Sequence, residues 1–423
     1  MKRENQPGYI PHVGPVSPTR TIRQHHKTPA DKIKGASERL LEHGVEVIKS
    51  LASYRADAVL LTGKEKHGGE PLRVFYFGVG ENLAYLAELL FHAHEAAVQA
   101  ADVNPWRARA WCQKFQAGVD LVILDLPWPV NKMVRRGGFL ALAPWVNMVI
   151  PIGVTWESVV GRWAKNVRGE DLRRIRKHQL NFRTLDSEQA FRNFYHDLYV
   201  PYVTLRFGDA VFIEPEAKIV AVHEVGEIIE ILRADTVIAA GVLIEDHGSL
   251  GFHWTGVPPD VAPAMLDGAF AALYYFIIRL AYERGCAEVD CFTSRPTLAD
   301  GVLRYKRKWG GMLSGCEGLN GQILLQPVRG ARAVLAFLGH NPLITLVGSD
   351  FVARLLFEEF DVSAARVLET LDAYYTDGLS SLRLYALHGF ADGVADAVRE
   401  RNLPVQLFDL RGAENPLQDY CRA

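Results

Sequence analysis

Cysteine is scarce in this chain: five in 423 residues, an odd number, at Cys112, Cys286, Cys291, Cys316 and Cys421. None stands in a CxxC or Cys/His ligand spacing, which argues against a disulfide framework and against a structural zinc site. An excess of one charge is missing too. Lys and Arg total 47 against 49 Asp and Glu, a net charge of −2, so any electrostatic recognition has to be local rather than a bulk attraction to nucleic acid or membrane. No run is long and apolar enough to span a bilayer; the most apolar one, Ala269 to Gly285, is short and carries Arg279. It reads as a buried helix of a soluble core. The first residues are basic but lack an apolar segment, unlike a secretory signal, and a reducing cytoplasm is the expected compartment. No short period repeats. In "FHAHE" the spacing of His92 and His94 does not put two imidazoles on one helical face with Glu95, so no metal is expected there.

What the chain does have is alternation. A polar, proline-bearing arm over 1–40 precedes strand and helix signals: "ADAVLLTG", "LRVFYFG", the helix-like "ENLAYLAELLFHAH", "AAVQAADV", "WRARAWCQKF" and "DLVILDLPWP". Continuous apolar strands of this kind point to an α/β module over 41–152, buried on both faces. A second module, 153–326, opens with "TWESVVGRWAKNVRGEDLRRIRKHQL", where Trp156, Val160, Trp163 and Val167 share one helical face behind the cap Thr155. Pro201 is expected to end or kink the next helix. Three strands follow, turning at Ala-Asp and at His-Gly, then the apolar helix, a strand "AEVDCFTSR", and a basic helix "TLADGVLRYKRKWGG" with Thr297 as its expected cap. A small α/β module over 327–423 completes the chain.

Several of these segments resemble a known family. "TWESVVGRWAKNVRGEDLRRIRKH", "YVPYVTLRFGD", the stretch "AGVLIEDHGSLGFHWTGVPPDVAPAMLDGAFAALYYFIIRLAYERGCAEVDC" and "GVLRYKRKWGG" are similar to the GNAT acyltransferase core. More narrowly they resemble its Fem-type (FemAB-like) branch of peptidoglycan-bridge aminoacyltransferases. The resemblance covers somewhat over a third of the chain. It implies an α/β fold whose central sheet is mixed, mostly antiparallel, around a long buried helix. It implies transfer of an acyl or aminoacyl group to an amine or hydroxyl of a cell-envelope or polysaccharide-type acceptor, in one direct step, with acyl-CoA or aminoacyl-tRNA as co-substrate and no tightly bound cofactor. It also implies that two central strands part beside Pro263, opening a cleft toward Lys306.

Acyl transfer to an amine requires a base near the nucleophile and a donor for the developing oxyanion. In the geometry the resemblance implies, His253 and Asp290 stand on the central strands, with Glu245 and Asp246 at a strand end, and Lys306 on the closing helix; Arg304 and Tyr305 flank it as substrate contacts. Tyr202 and Arg206 are placed to orient an acceptor carboxylate or sugar hydroxyl, and Arg173, Arg176 and Lys177, at i, i+3 and i+4, to hold a phosphate-rich donor such as tRNA. Each has a plainer reading: a core histidine, a solvated basic face, cations offsetting a helix dipole. Cys286 and Cys291 read as core. One departure stands out. The loop "PPDVAPAMLDGAF" carries Pro258, Pro259 and Pro263, which remove backbone donors, and Asp267, which adds negative charge where a pyrophosphate would be held. Two other readings therefore stand beside the transferase: a non-catalytic GNAT-like binding or scaffold protein, and an S-adenosylmethionine-dependent methyltransferase built on Gly78, Gly80 and Asp102 of the first module.

Overall fold

The apolar runs at the start of the first module pair as a hairpin, β1 (Ala56–Glu65) with β2 (Pro71–Gly78). The computed structural model describes residues 54–134, 138–207, 213–260, 266–315 and 321–422. The expected N-terminal arm, Cys316 and the part of the proline loop that holds Pro263 lie outside them. Helix α1 (Gly80–Leu90) follows, ending at Leu90 and not running on through His94, because Phe91–Val103 is drawn out as strand β3 along the open edge of β1. A long ladder there outweighs the local helical preference of "FHAH". Strand β4 (Leu121–Pro127) lies parallel to β2, and β5 (Leu140–Leu142) is short.

This order overturns the methyltransferase reading. A dinucleotide-type half would place the strand after α1 parallel and beside β2. Here β1 stands between β2 and β3, so the two are not neighbours and Asp102 ends an exposed edge strand, and a Cβ on Gly78 would lie 2.5 Å from Asp125 Cβ.

After β5 the chain passes into a second sheet as β6 (Val146–Pro151). Helices α2 (Trp156–Gly161) and α3 (Leu172–Lys177) are separated by a break and a π-turn over Val167–Asp171. Thr155 caps α2 by accepting from Ser158 N. The four aromatic and valine positions on the expected face all pack into one core, Trp163 and Val167 fully buried. Strand β7 (Asn181–Leu185) leads to a helical run ending in α4 (Val200–Phe207). Pro201 does not end this run: the preceding turn over Phe194–Tyr199 is π-wound, which absorbs its missing N–H. Then come β8 (Gly226–Arg233), β9 (Thr236–Asp246) and β10 (Ser249–Gly256). Ala234, Asp235, His247 and Gly248 all have positive φ, the signature of tight hairpin turns. Helix α5 (Ala269–Arg284) crosses over to β11 (Glu288–Ser294), which lies parallel to β10, and α6 (Gly301–Lys308) leads to β12 (Met312–Leu313).

The order β12-β6-β11-β10-β9-β8-β7 is an antiparallel meander with one parallel crossover through a buried helix. This is the mixed, mostly antiparallel α/β sheet around a long buried helix that the resemblance implies. Among the described residues, no helix is long and apolar enough to cross a membrane.

The chain then returns to the first sheet as β13 (Gly321–Pro327), β14 (Leu343–Val347) and β15 (Asp350–Val362), and after α7 (Ala364–Tyr374) as β16 (Ser381–Phe390) and β17 (Val405–Asp409). All five join β1 to β5 in one ten-stranded sheet, β17-β16-β15-β14-β5-β13-β4-β2-β1-β3. The pieces expected as separate modules over 41–152 and 327–423 thus share a single sheet, while β6 from the first and β13 from the second have changed places. Long-range pairing, invisible in local pattern, sets these borders.

Helix α6 is locked by its terminal tryptophan. Trp309 is fully buried, with its ring centroid 5.1 Å from that of Trp163 and 6.0 Å from that of Tyr274. Trp309→Ala should destabilise the protein by about 3–5 kcal/mol in urea unfolding, as for other large-to-small core changes, and Trp309→Phe by clearly less. Equal midpoints for Trp309→Ala and the parent would show that α6 is not anchored through this ring.

Candidate functional site

Strands β10 and β11 pair in parallel only through Ser249, Leu250 and Gly251 against Glu288, Val289 and Asp290. Beyond that point each keeps its other neighbour, and each does so with an extra residue. On β10, Phe252 faces Leu243 and Thr255 faces Gly241, so three steps on β10 match two on β9. On β11, Asp290 faces Val149 and Thr293 faces Asn147, again three steps against two on β6. Two β-bulges therefore sit side by side, and bulges bend strands and re-aim side chains. One falls at His253–Trp254; the other falls at Cys291–Phe292, with Phe292 in the left-handed region at φ 52°. The strands part between them.

Of the three residues expected to carry chemistry, His253 and Asp290 stand on the two parting strands, and Lys306 comes to the β11 backbone from α6. His253 lies back over Gly251, where a Cβ would stand 2.9 Å from Nε2; only glycine leaves room for the imidazole. Its ring meets that of Phe292 at 4.2 Å. Burial lowers the His253 pKa, opposed by the charge of Asp290, so the ring is neutral and able to accept a proton near pH 7. The alternation that would set Phe252 and Trp254 on one face is broken here: Phe252 enters the α5 core, while Trp254 packs against the cluster formed by the α4 region. Asp290 Oδ1 accepts from Phe292 N at 2.8 Å and so holds the bulge in shape.

Lys306 reaches the bulged β11 backbone from α6. Its expected cap, Thr297, instead bridges to Leu343, and Asp300 caps the helix by accepting from Leu303 N at 2.8 Å. That shift places Leu303 and Lys306 on the buried face and leaves Val302 exposed. Nζ donates to Phe292 O at 3.1 Å and to Thr293 O at 2.7 Å. These are carbonyls of the bulged strand, so the amine ties α6 to β11 at the bulge. Burial brings the Lys306 pKa down to about 8, with Cys291, Asp300 and Asp290 opposing. Cys291 is a core thiol pushed up to about 12 by burial, without nucleophilic character.

The remaining candidates are dispersed. Tyr202 and Arg206 lie on α4, which packs over β10; Arg206 donates to the Tyr202 hydroxyl, and Tyr202 stands 5.9 Å from Phe270. Arg173, Arg176 and Lys177 form an exposed face of α3. Inward from them, Arg174 Nε and His178 Nε2 both reach Asp267, at 3.4 and 3.1 Å, so the start of α5 is already furnished with a paired carboxylate. Glu245 and Asp246 belong to the turn end of the β9–β10 hairpin, and Glu245 faces Arg284 there. Arg304 and Tyr305 line a separate pocket on the outer side of α6, along with Arg307 and Lys308 of the same basic run and with Arg162, which no sequence pattern joins to it. The doublet Gly310–Gly311 was the available signal for it: Gly310 has φ 83°, and its Cα passes close under Arg162.

No family model matches the chain, and no curated protein matches it. Among solved structures it is similar to L-PGS from Bacillus licheniformis, at 10% identity over 68% of this chain and 88% of that one, with a TM-score of 0.32. FemX gives 11% identity over 65% and 89%, with a TM-score of 0.35. A GCN5-related N-acetyltransferase from Sphaerobacter thermophilus gives 14% over 62% and 79%, with a TM-score of 0.29. Overlaps this loose add nothing to the chain's own strand order and bulge geometry, on which the fold assignment rests.

The buried amine has a pH signature. An unfolded lysine holds its proton to about 10.5, whereas the folded one releases it near 8. The unfolded state thus binds more protons between these values, and stability rises with pH across that window; the penalty is complete below about 8 and gone above about 10.5. Relative to Lys306→Met, the parent should gain stability between pH 7.5 and 9.5, by up to about 2 kcal/mol. A constant difference in urea midpoint over that range would show that the amine titrates as if exposed.

Proposed function

We propose that the protein is an acyl- or aminoacyltransferase that moves an acyl group directly from a thioester or ester donor to an amine or hydroxyl held at the β10–β11 opening. The observation that carries this is the pair of adjacent bulges. They unzip two central strands where a neutral imidazole stands near a carboxylate, with a buried amine holding the bulged β11 backbone alongside. Backbone groups of β10 beyond Gly251 lie past the end of the parallel ladder, so their N–H dipoles are available to a carbonyl in the cleft.

In this reading the acceptor amine attacks the acyl carbon as the bond to the donor's sulfur or oxygen breaks. His253 takes the proton from the attacking nitrogen, and Asp290 favours the imidazolium that results. Lys306 holds the bulged backbone in register and, protonated, offsets the negative charge that develops on the acyl oxygen or the leaving group. No covalent enzyme intermediate is needed. Tyr202 and Arg206 on α4 flank the acceptor side. The start of α5 is a poor cradle for a pyrophosphate, since Asp267 already occupies it with Arg174 and His178 as partners. That favours an aminoacyl ester of tRNA over acyl-CoA as donor, and the exposed face of Arg173, Arg176 and Lys177 suits a phosphate backbone. The acceptor proposed is a cell-envelope peptide or glycan, in the cytoplasm.

The test is transfer itself. Purified protein is incubated with acyl-CoAs or charged tRNAs and amine acceptors, and products are read by mass spectrometry alongside thermal shifts. Turnover should appear with one donor class, and His253→Gln should lower kcat by about 10²-fold with KM little changed. A donor that raises Tm but yields no product would instead favour the non-catalytic binding protein. Neither turnover nor a thermal shift with any donor would remove the transferase reading.

A further inference from the structure

A further cavity lies away from the opening between β10 and β11. On the other side of α6, away from the buried Lys306 amine, a pocket of about 590 Å³ lies between α6, the 162–166 segment and the end of α7. Its size suits a nucleotide-scale ligand. Its charge is what sets it apart in a chain of net charge −2.

Four cations line it: Arg162, Arg304, Arg307 and Lys308. Two carboxylates oppose them, Asp372 and Asp377, but the pairings inside the protein do not cancel the excess. Lys308 Nζ is already committed to Asp171 at 2.9 Å, and Asp372 is committed to Arg401 at 3.2 Å. That leaves Arg162, Arg304 and Arg307 against Asp377. Arg307 gives one N–H to Tyr375 O at 3.0 Å, a neutral partner that leaves its charge unmet. Neither the Arg162 nor the Arg304 guanidinium makes an ion pair or hydrogen bond with another described residue. Arg304 stands near enough to Arg307 for their like charges to depress the Arg307 pKa, after burial.

The negative end of the α6 dipole faces this region and opposes an anion, but by less than the cations favour it. The last carbonyls of the helix are capped: Lys306 O by Trp309 N and Gly311 N, Arg307 O by Gly310 N, and Lys308 O by Ala164 N. What remains of the dipole is a fraction of one charge against three guanidiniums. The cap from Ala164, together with the close pass of Gly310 under Arg162, fixes the 162–166 segment against the helix end, so Arg162 is held facing Arg304.

We propose that this pocket is a second site, separate from the β10–β11 opening, that binds a phosphate-bearing small molecule of nucleotide size through the guanidiniums of Arg162, Arg304 and Arg307. Planar forks of this kind engage phosphate oxygens in pairs, and an anion between them relieves their mutual repulsion. Because Lys306 shares one short helix with Arg304 and Arg307, occupancy bears on how firmly the amine is held against β11. The inference does not depend on the transferase reading.

Inorganic pyrophosphate and ADP are the probes, titrated calorimetrically into the full chain at fixed ionic strength, with thermal shift in parallel. Saturable binding and a raised Tm are expected in the parent and in Arg399→Gln, an exposed control elsewhere. Affinity should fall at least tenfold in Arg304→Gln and in Arg162→Gln, both at exposed positions on the pocket rim. A measurement without variants runs beside it: pyrophosphate should protect Arg162 and Arg304 from phenylglyoxal, read by peptide mass spectrometry. The proposal is overturned by absence of saturable binding, by binding that Arg399→Gln weakens as much as Arg304→Gln, or by undiminished labelling of both arginines.

Discussion

The structure turns on a mismatch of one residue, made twice at the same level. Had β10 and β11 each kept regular register with β9 and β6, the parallel ladder begun at Ser249–Gly251 would continue, and the sheet would be closed through its centre. Instead each strand holds its outer partner and inserts one residue, so the inner edges turn away from each other. Bulges lose ladder bonds, and those losses have to be compensated nearby. Asp290 meets Phe292 N, and Lys306 meets two carbonyls of the bulged strand. A residue with φ near 52° at Phe292 persists because these contacts over-determine it.

That compensation gives Lys306 two roles that are hard to separate. A buried ammonium is unfavourable unless its donors are satisfied, and here two carbonyls of a distorted strand satisfy it. The same desolvation brings its pKa near neutrality, which is the range useful for proton transfer. A purely structural lysine and a catalytic one would look alike at this position, so substituting Lys306 disturbs the bulge as well as any chemistry. His253 is the cleaner probe, because its contacts are ring packing over Gly251 and against Phe292, not support of the backbone.

Much of the second sheet was legible in the sequence because its signals are local. Ala234–Asp235 and His247–Gly248 announce hairpins, the apolar run into α5 announces a buried crossover, and the Trp156–Val167 periodicity announces the face that meets it. What sequence did not announce was anything decided at a distance. Phe91–His94 has helical character but is claimed by the edge of β1. The cap of α6 moved from Thr297 to Asp300 because Thr297 is engaged by Leu343 across the two sheets. The bulges themselves leave no mark in composition; only the neighbouring register reveals that His253 and Phe292 are the extra residues. Likewise the three guanidiniums of the outer pocket come from segments about 140 residues apart, joined by a glycine doublet whose purpose shows only when Arg162 lies over it.

The exchange of strands between sheets explains how so small a helix can matter on both faces. Only residues 143–145 separate β5 in one sheet from β6 in the other. At the far end of β11, Ile344 N reaches back to Pro296 O and Leu298 N to Pro342 O, while Arg295 lies over the Trp145 ring at 3.6 Å and donates to Asn82 at 2.8 Å. Leu313 N is tied to Asp377 O on the pocket wall. Helix α6 therefore leaves a strand stapled to the first sheet and returns to one tied beside α7, with Trp309 buried between. A segment pinned at both ends transmits displacement instead of absorbing it, since packed interiors yield little. Whatever settles against Arg304 and Arg307 on one face acts, through the same eight residues, on the amine that holds the bulge on the other.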